Sequence, residues 1–152
     1  MNKIWLFPSV RKLTGTEEII IKRDITQFLD SWAAHGAQLT AKVDILHNMI
    51  IKVSANEEMV IASGCSIDKM TKFISAISDN YHLDLFNRER IYIIDNQDKI
   101  QFFKLSELNK KVKADNALLQ YNVLNNSVVS DLEFEQNWSL PLKESAYSRM
   151  LT

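Results

Sequence analysis

Between Trp32 and Leu39 the spacing of the apolar residues changes from helical to extended, and this switch limits the chain to folds that pack helices on a sheet. Before the switch, Ile21, Ile25, Phe28, Leu29 and Trp32 fall on one stripe of an α-helix that runs from about Thr16. Thr14-x-x-Glu17 reads as a capping box, Glu17 and Glu18 suit the positive helix end, and Gly36 is placed as a left-handed C-cap. After it, Leu39, Ala41, Val43 and Ile45 alternate with Thr40, Lys42 and Asp44, so one face of a strand is buried and the other wet.

The rest of the chain extends the pattern. Ile4 to Phe7 reads as a first strand, and Met49, Ile51, Val53 and Ala55 as a strand paired with the previous one across His47-Asn48, residues that tolerate positive φ. Ile67, Met70, Ile74, Ile77 and Tyr81 form the stripe of a second helix, with Ser66 as N-cap and Asp68 in its first turn. Ile91–Ile94 and Ile100–Phe103 flank Asp95-Asn96-Gln97-Asp98 as a hairpin. A short helix over Ser106–Ala114, a strand over Leu118–Leu124 and a capping box at Ser130-x-x-Glu133 complete the reading. The order strand, helix, strand, strand, helix, strand predicts an α+β fold: an antiparallel sheet with the split βαβ (ferredoxin-like βαββαβ) core, an extra hairpin and a C-terminal helical arm. With 152 residues and no linker, repeat or low-complexity tract, a single domain is expected, its core over about residues 3–104 and the C-terminal extension over about 105–152.

Several functional classes are excluded on composition and motif. A net charge of -1 exerts no pull toward nucleic acid or an anionic membrane, and Lys110-Lys111-Val112-Lys113 reads as a solvated helix face. The one cysteine cannot form an internal disulfide, Ile4 to Phe7 is too short for a signal-peptide core, and no apolar run approaches the ~18 residues of a membrane span, so a cytoplasmic protein is expected. Gly15, Gly36 and Gly64 are followed by Thr16, Ala37 and Cys65, which rules out a P-loop and a Gly-x-Gly-x-x-Gly turn. His35, His47 and His82 lie far apart with a single cysteine, so neither a metal site nor a cofactor is expected. RNA binding on the sheet is disfavoured because Met49-Ile50-Ile51-Lys52-Val53 carries no aromatic, while Trp5 and Phe7 read as core.

Two places remain as site candidates, Ser63-Gly64-Cys65-Ser66 and Trp32-Ala33-Ala34-His35-Gly36. The ferredoxin-like path puts the end of the first helix and the start of the second on one rim, while Arg11, Lys12 and His47 go to the opposite end. A helix N-terminus attracts anions and favours a thiolate. Gly64 lets the backbone approach a ligand, Ser63 and Ser66 supply hydroxyls, Asp68 lies close by, and His35 could serve Cys65 as a base. Against this, free cysteine most often behaves as a small buried hydrophobe, and His35 serves equally well for a local hydrogen bond.

The same residues carry a resemblance. Trp5, Lys12, Trp32-Ala33-Ala34-His35-Gly36, Ala62-Ser63-Gly64-Cys65-Ser66-Ile67-Asp68 before Phe73-Ile74, and Asn137-Trp138 with Pro141 and Glu144-Ser145 make the chain similar, nearly end to end, to a family of short bacterial proteins. Its members often carry the label "ABC transporter ATPase" despite lacking a P-loop. This chain also lacks a Leu-Ser-Gly-Gly-Gln signature, so ATP hydrolysis of the P-loop type is not implied. The resemblance supplies a group without a known activity, and Ala146-Tyr147 depart from that family's aromatic and histidine residues.

The expected function is therefore a non-catalytic ligand- or protein-binding module, with a small anion or a protein as partner and no nucleic acid or membrane insertion. The alternative is an enzyme or redox sensor built on Cys65 and His35. Ile50, Ile94 and Phe103 have the parity opposite to the inward residues of their strands, and either the arm, through Phe134, Trp138 and Leu140, or a homodimer through the sheet face would cover them.

Overall fold

A computed structural model describes residues 2–151. The chain is α+β and divides into two compact units, one of Met1–Phe86 with Val129–Leu132 and one of Asn87–Val128 with Glu133–Thr152. Each has its own apolar core.

The first unit holds β1 (Asn2–Pro8), α1 (Gly15–Asp30), β2 (Ala33–Ala34), β3 (Ala37–Gln38), β4 (Thr40–Leu46), β5 (Ile50–Asn56) and α2 (Gly64–Tyr81). Its main sheet is antiparallel in the order β1-β5-β4. The register aligns Trp5, Val53 and Val43 in one row and Phe7, Ile51 and Ile45 in the next. Because side chains alternate along a strand, these rows share a face, and they pack with Ile21, Ile25 and Leu29 of α1 and Met70, Ile74 and Ile77 of α2. The aromatic pair Trp5 and Phe7 thus joins the core.

Both ends of α1 follow from local chemistry. The Thr14 hydroxyl accepts from the Glu17 amide at 3.1 Å and the Glu17 carboxylate accepts from the Thr14 amide at 2.9 Å, which closes the expected capping box. The helix stops at Asp30, before Trp32, and the expected C-cap role of Gly36 is replaced by another. His35 (φ 52°) and Gly36 (φ 80°) are both left-handed and form the turn of the β2–β3 hairpin, where Ala34 pairs with Ala37. Two consecutive left-handed residues match the natural twist of a two-residue hairpin turn. His47 (φ 52°) and Asn48 (φ 56°) are left-handed as well, as their residue types foretell, and with Met49 they form the three-residue connection between β4 and β5, where Leu46 pairs with Ile50.

The closing strand of the expected βαββαβ core is not where the spacing puts it. Ile91–Ile94 belongs to the second unit's sheet, and β1 is flanked instead by a single bridge, Lys3 to Ser130, with the Ile4 amide donating to Val129 O at 3.0 Å. The cause lies just after α2. His82 (φ 56°) and Asp84 (φ 50°) turn the chain back, so that Leu83 and Leu85 plug the core at 0% exposure instead of leading into a strand. The Leu83 amide donates to Ser78 O and the Leu85 amide to Ser78 Oγ, each at 2.9 Å.

The second unit is a sheet of order β7-β6-β8-β9, from β6 (Ile91–Ile94), β7 (Ile100–Phe103), β8 (Asn122–Leu124) and β9 (Ser139–Pro141), with α3 (Leu105–Ala114). All its pairings are antiparallel. The β6–β7 hairpin turns on Asp95, whose carboxylate accepts from the amides of Gln97 and Lys99. Ile91, Ile93, Leu108, Val112, Val123 and Leu142 form the core. Leu118 to Gln120, expected in a strand, are in a 3-10 turn over Asn116–Gln120 opened by Asp115, whose carboxylate accepts from the Ala117 amide. In the segment expected as a C-terminal extension, the expected strand survives as β8, a short helix forms as α4 (Asp131–Asn137), and the strand not foreseen is β9. Phe103 packs against this unit's core, and Ile50 of the first unit is 0% exposed. The apolar parity that motivated a partner copy is therefore already buried at Ile50 and packed at Phe103.

Candidate functional site

The rim at the start of α2 carries the residues singled out by sequence. Ser63, not Ser66, is the N-cap of α2: its backbone is extended (φ -88°, ψ 164°) and its hydroxyl accepts from the Ser66 amide at 3.1 Å. Ser66 sits three residues on, 2% exposed, and its hydroxyl accepts from the Ser63 amide and donates to Ser63 O, both at 2.8 Å. The two serines therefore spend their hydroxyls closing the helix end rather than facing a ligand. A Cβ built on Gly64 meets nothing within 4 Å, so close packing does not demand glycine there. Asp68 falls beyond the first turn and pairs with Lys72 at 3.1 Å, one helical turn on.

Cys65 is exposed. A buried-hydrophobe role does not describe it. His35 is exposed as well, at the tip of the β2–β3 hairpin. The two segments are tied together by Trp32, which is 2% exposed and whose indole N–H donates to Ser66 O at 2.7 Å. Trp32 meets Trp5 edge to face at 5.8 Å between ring centroids, and Phe28 stacks on Phe73 at 4.6 Å, so an aromatic seam runs beneath this rim. The rim thus gathers both candidate segments. No hydrogen bond or ion pair links His35 to Cys65 among the described residues.

The opposite end is closed by charge. Arg11 makes a bidentate pair with Glu17, both bonds at 2.8 Å, and donates to Tyr81 O at 2.7 Å. The Arg11 guanidinium, with the Thr14 amide assisting, pulls the Glu17 carboxyl from 4.5 down to about 2.

A third location has no forewarning in the sequence. The second unit contains a cavity of about 400 Å³, within the range of small-molecule sites. Its walls are apolar at Val123, Val128, Leu140 and Met150. Asn125, Glu133, Asn137 and Tyr147 bring polar atoms to it, and burial pushes the Tyr147 phenol up from its ordinary value. These residues come from separate short elements between Val123 and Met150, so no spacing announces them. A hollow of about 490 Å³ also lies at the C-terminal end of α2, lined by Ser78, Asp79, His82 and Phe86, but its Ser78 hydroxyl is already engaged by Leu85.

Among the described residues no three of His, Cys, Asp and Glu come together to hold a metal ion, and no helix is long and apolar enough to cross a membrane. No family model, curated protein or solved structure matches this chain.

Proposed function

We propose that the chain is a non-catalytic binding module whose ligand occupies the cavity of the second unit. The observation that carries this reading is the cavity's composition: about 400 Å³ with apolar walls and a few convergent polar groups, the make-up of sites that bind small amphipathic molecules. In the same reading the protein is cytoplasmic, the first unit is a ferredoxin-like relative that departs at its closing strand, and the group it belongs with is the family of short bacterial proteins it resembles. A homodimer through the sheet face draws no support from Ile50, which the chain itself buries.

The test is ligand binding by the intact chain. Six-carbon probes such as 1-hexanol, followed by calorimetry and thermal shift, should bind with a Kd below about 1 mM, or about 4 kcal/mol of affinity. Ala146→Trp, which puts an indole on the cavity lining, should abolish that binding while the far-ultraviolet dichroism stays unchanged. Absence of binding by every probe, or binding that survives the indole, refutes the reading.

A second reading is supported by the exposure of Cys65 on the rim it shares with the His35 hairpin: a cysteine-dependent enzyme or redox sensor. Alkylation by iodoacetamide as a function of pH decides it. An inflection well below the ordinary ~8.5, moved by His35→Asn, supports a working thiol; an ordinary inflection indifferent to His35 removes it.

A further inference from the structure

The two larger sheets each leave a pair of edges, and one edge stands apart. β9 has three residues and ends in Pro141, and β7 has four. The outer side of β1 is met by the Lys3 to Ser130 bridge and by Val129 O, which accepts from the Ile4 amide. β4 runs for seven residues, Thr40–Leu46, without proline or glycine, and β5 is its one strand partner. Among the described residues the backbone groups that Thr40 to Ile45 turn away from β5 have no hydrogen-bond partner. Such a row of open N–H and C=O groups is a template for one more strand.

The side chains of β4 say which strand fits. Ala41, Val43 and Ile45 face the core, while Lys42 and Asp44 stand on the other face, placed symmetrically about Val43. Neither Lys42 nor Asp44 is in an ion pair among the described residues. A two-fold axis through Val43, perpendicular to the sheet, lays β4 antiparallel on β4 of a second copy over its whole length. Lys42 then faces the partner's Asp44, and Ala41 meets the partner's Ile45, small against large. Moving the axis to Lys42 or Asp44 shortens the overlap and sets like charges opposite each other. We propose that the chain forms a symmetric dimer through the edge of β4, joining two three-stranded sheets into one of six. Met59, 92% exposed, lies beside Thr40, where this register brings the partner's Leu46. The interface is one strand edge, so the dimer is weak and reversible. It stands independently of the cavity reading.

The experiment is sedimentation velocity on the full chain, from about 5 µM to about 1 mM, at pH 7 and low salt. A monomer should pass to a dimer, half-associated at roughly 100 µM. Lys42→Asp opposes carboxylates at both charged pairs across the axis, and Asp44→Lys opposes ammonium groups there. Each alone should weaken the dimer at least about tenfold. An equimolar mixture of the two variants should associate again, because every charged pair across the axis is then of opposite sign. A chain carrying both substitutions should dimerise like the wild type for the same reason, which also shows that the variants fold. A chain that stays monomeric at every concentration overturns the proposal. So does a dimer indifferent to either charge reversal, or a mixture and a doubly substituted chain that both stay monomeric.

Discussion

The two ends of the first unit are held by different chemistry. At one end Arg11 bonds both oxygens of Glu17 and the Tyr81 carbonyl, and the Asn48 amide donates to Glu18 at 2.6 Å. The start of α1, the end of α2 and the β4–β5 hairpin are thereby tied by side chains. At the other end the serines cap α2 within the backbone's own reach, Trp32 supplies one buried tie, and Cys65 and His35 stay in solvent. The lesson is that polar residues on a rim are informative only once their partners are counted. Arg11 and Glu17 are consumed by the fold, as are Ser63 and Ser66, whereas the thiol and the imidazole are not.

Breaking the buried tie at the Cys65 end should have the largest effect. Trp32→Ala removes a ring that is 2% exposed and should cost about 3–5 kcal/mol in urea unfolding. Trp32→Phe keeps much of that bulk and loses the indole N–H, and should cost about 1 kcal/mol, since the Ser66 carbonyl keeps its place in the helix ladder. Equal losses for the two variants would mean that the bond, not the packing, holds the rim.

At the other end Arg11→Ala should cost about 1–2 kcal/mol, discounted because the arginine side chain is 40% exposed. Its pH dependence has a definite sign. Glu17 titrates lower in the folded chain, at about 2, than its ordinary 4.5, so the pair stabilises fully above 4.5 and loses that contribution as pH falls toward 2. Stability measured from pH 6 to pH 2 should therefore fall more steeply in the wild type than in Arg11→Ala, the two curves converging near pH 2. Parallel curves would show that the ion pair contributes nothing to folding.

How much of this contrast is legible in the sequence depends on element length. The stripes of α1 and α2, the Thr14–Glu17 box and the left-handed His47-Asn48 turn can all be read, because each involves enough residues or a specific enough pair to express a period. The β2–β3 hairpin cannot. Two-residue strands of Ala33-Ala34 and Ala37-Gln38 are too short to alternate, so Gly36 reads equally well as a helix cap. The Ser63–Ser66 box lacks the Glu or Gln that usually signals such a cap, which shifts the apparent start of α2 to Ser66. Strand parity identifies β6 but not the sheet that it joins, and the plug formed by Leu83 and Leu85 decides that. Cys65 and His35 are nameable from sequence, while the cavity is assembled from residues whose proximity exists only in the folded second unit.

Ser63→Ala removes the capping acceptor of α2 and should cost about 1 kcal/mol.

The smallest effects should come from the two residues that most interest a chemist. Cys65 is exposed and Cys65→Ala should change stability by less than about 0.5 kcal/mol, the usual scale for a surface substitution. His35→Gly should be equally mild, because glycine relieves the left-handed φ of 52° while adding freedom to the unfolded chain, two terms of similar size and opposite sign. His35→Val, by contrast, forces a β-branched residue into that conformation and should cost about 1–2 kcal/mol, which separates the backbone's demand from the imidazole's. A loss above about 1 kcal/mol in Cys65→Ala would make the thiol part of the fold. The contrast between the two ends would then narrow, and of the two groups on the open rim only the His35 imidazole would stay outside the fold.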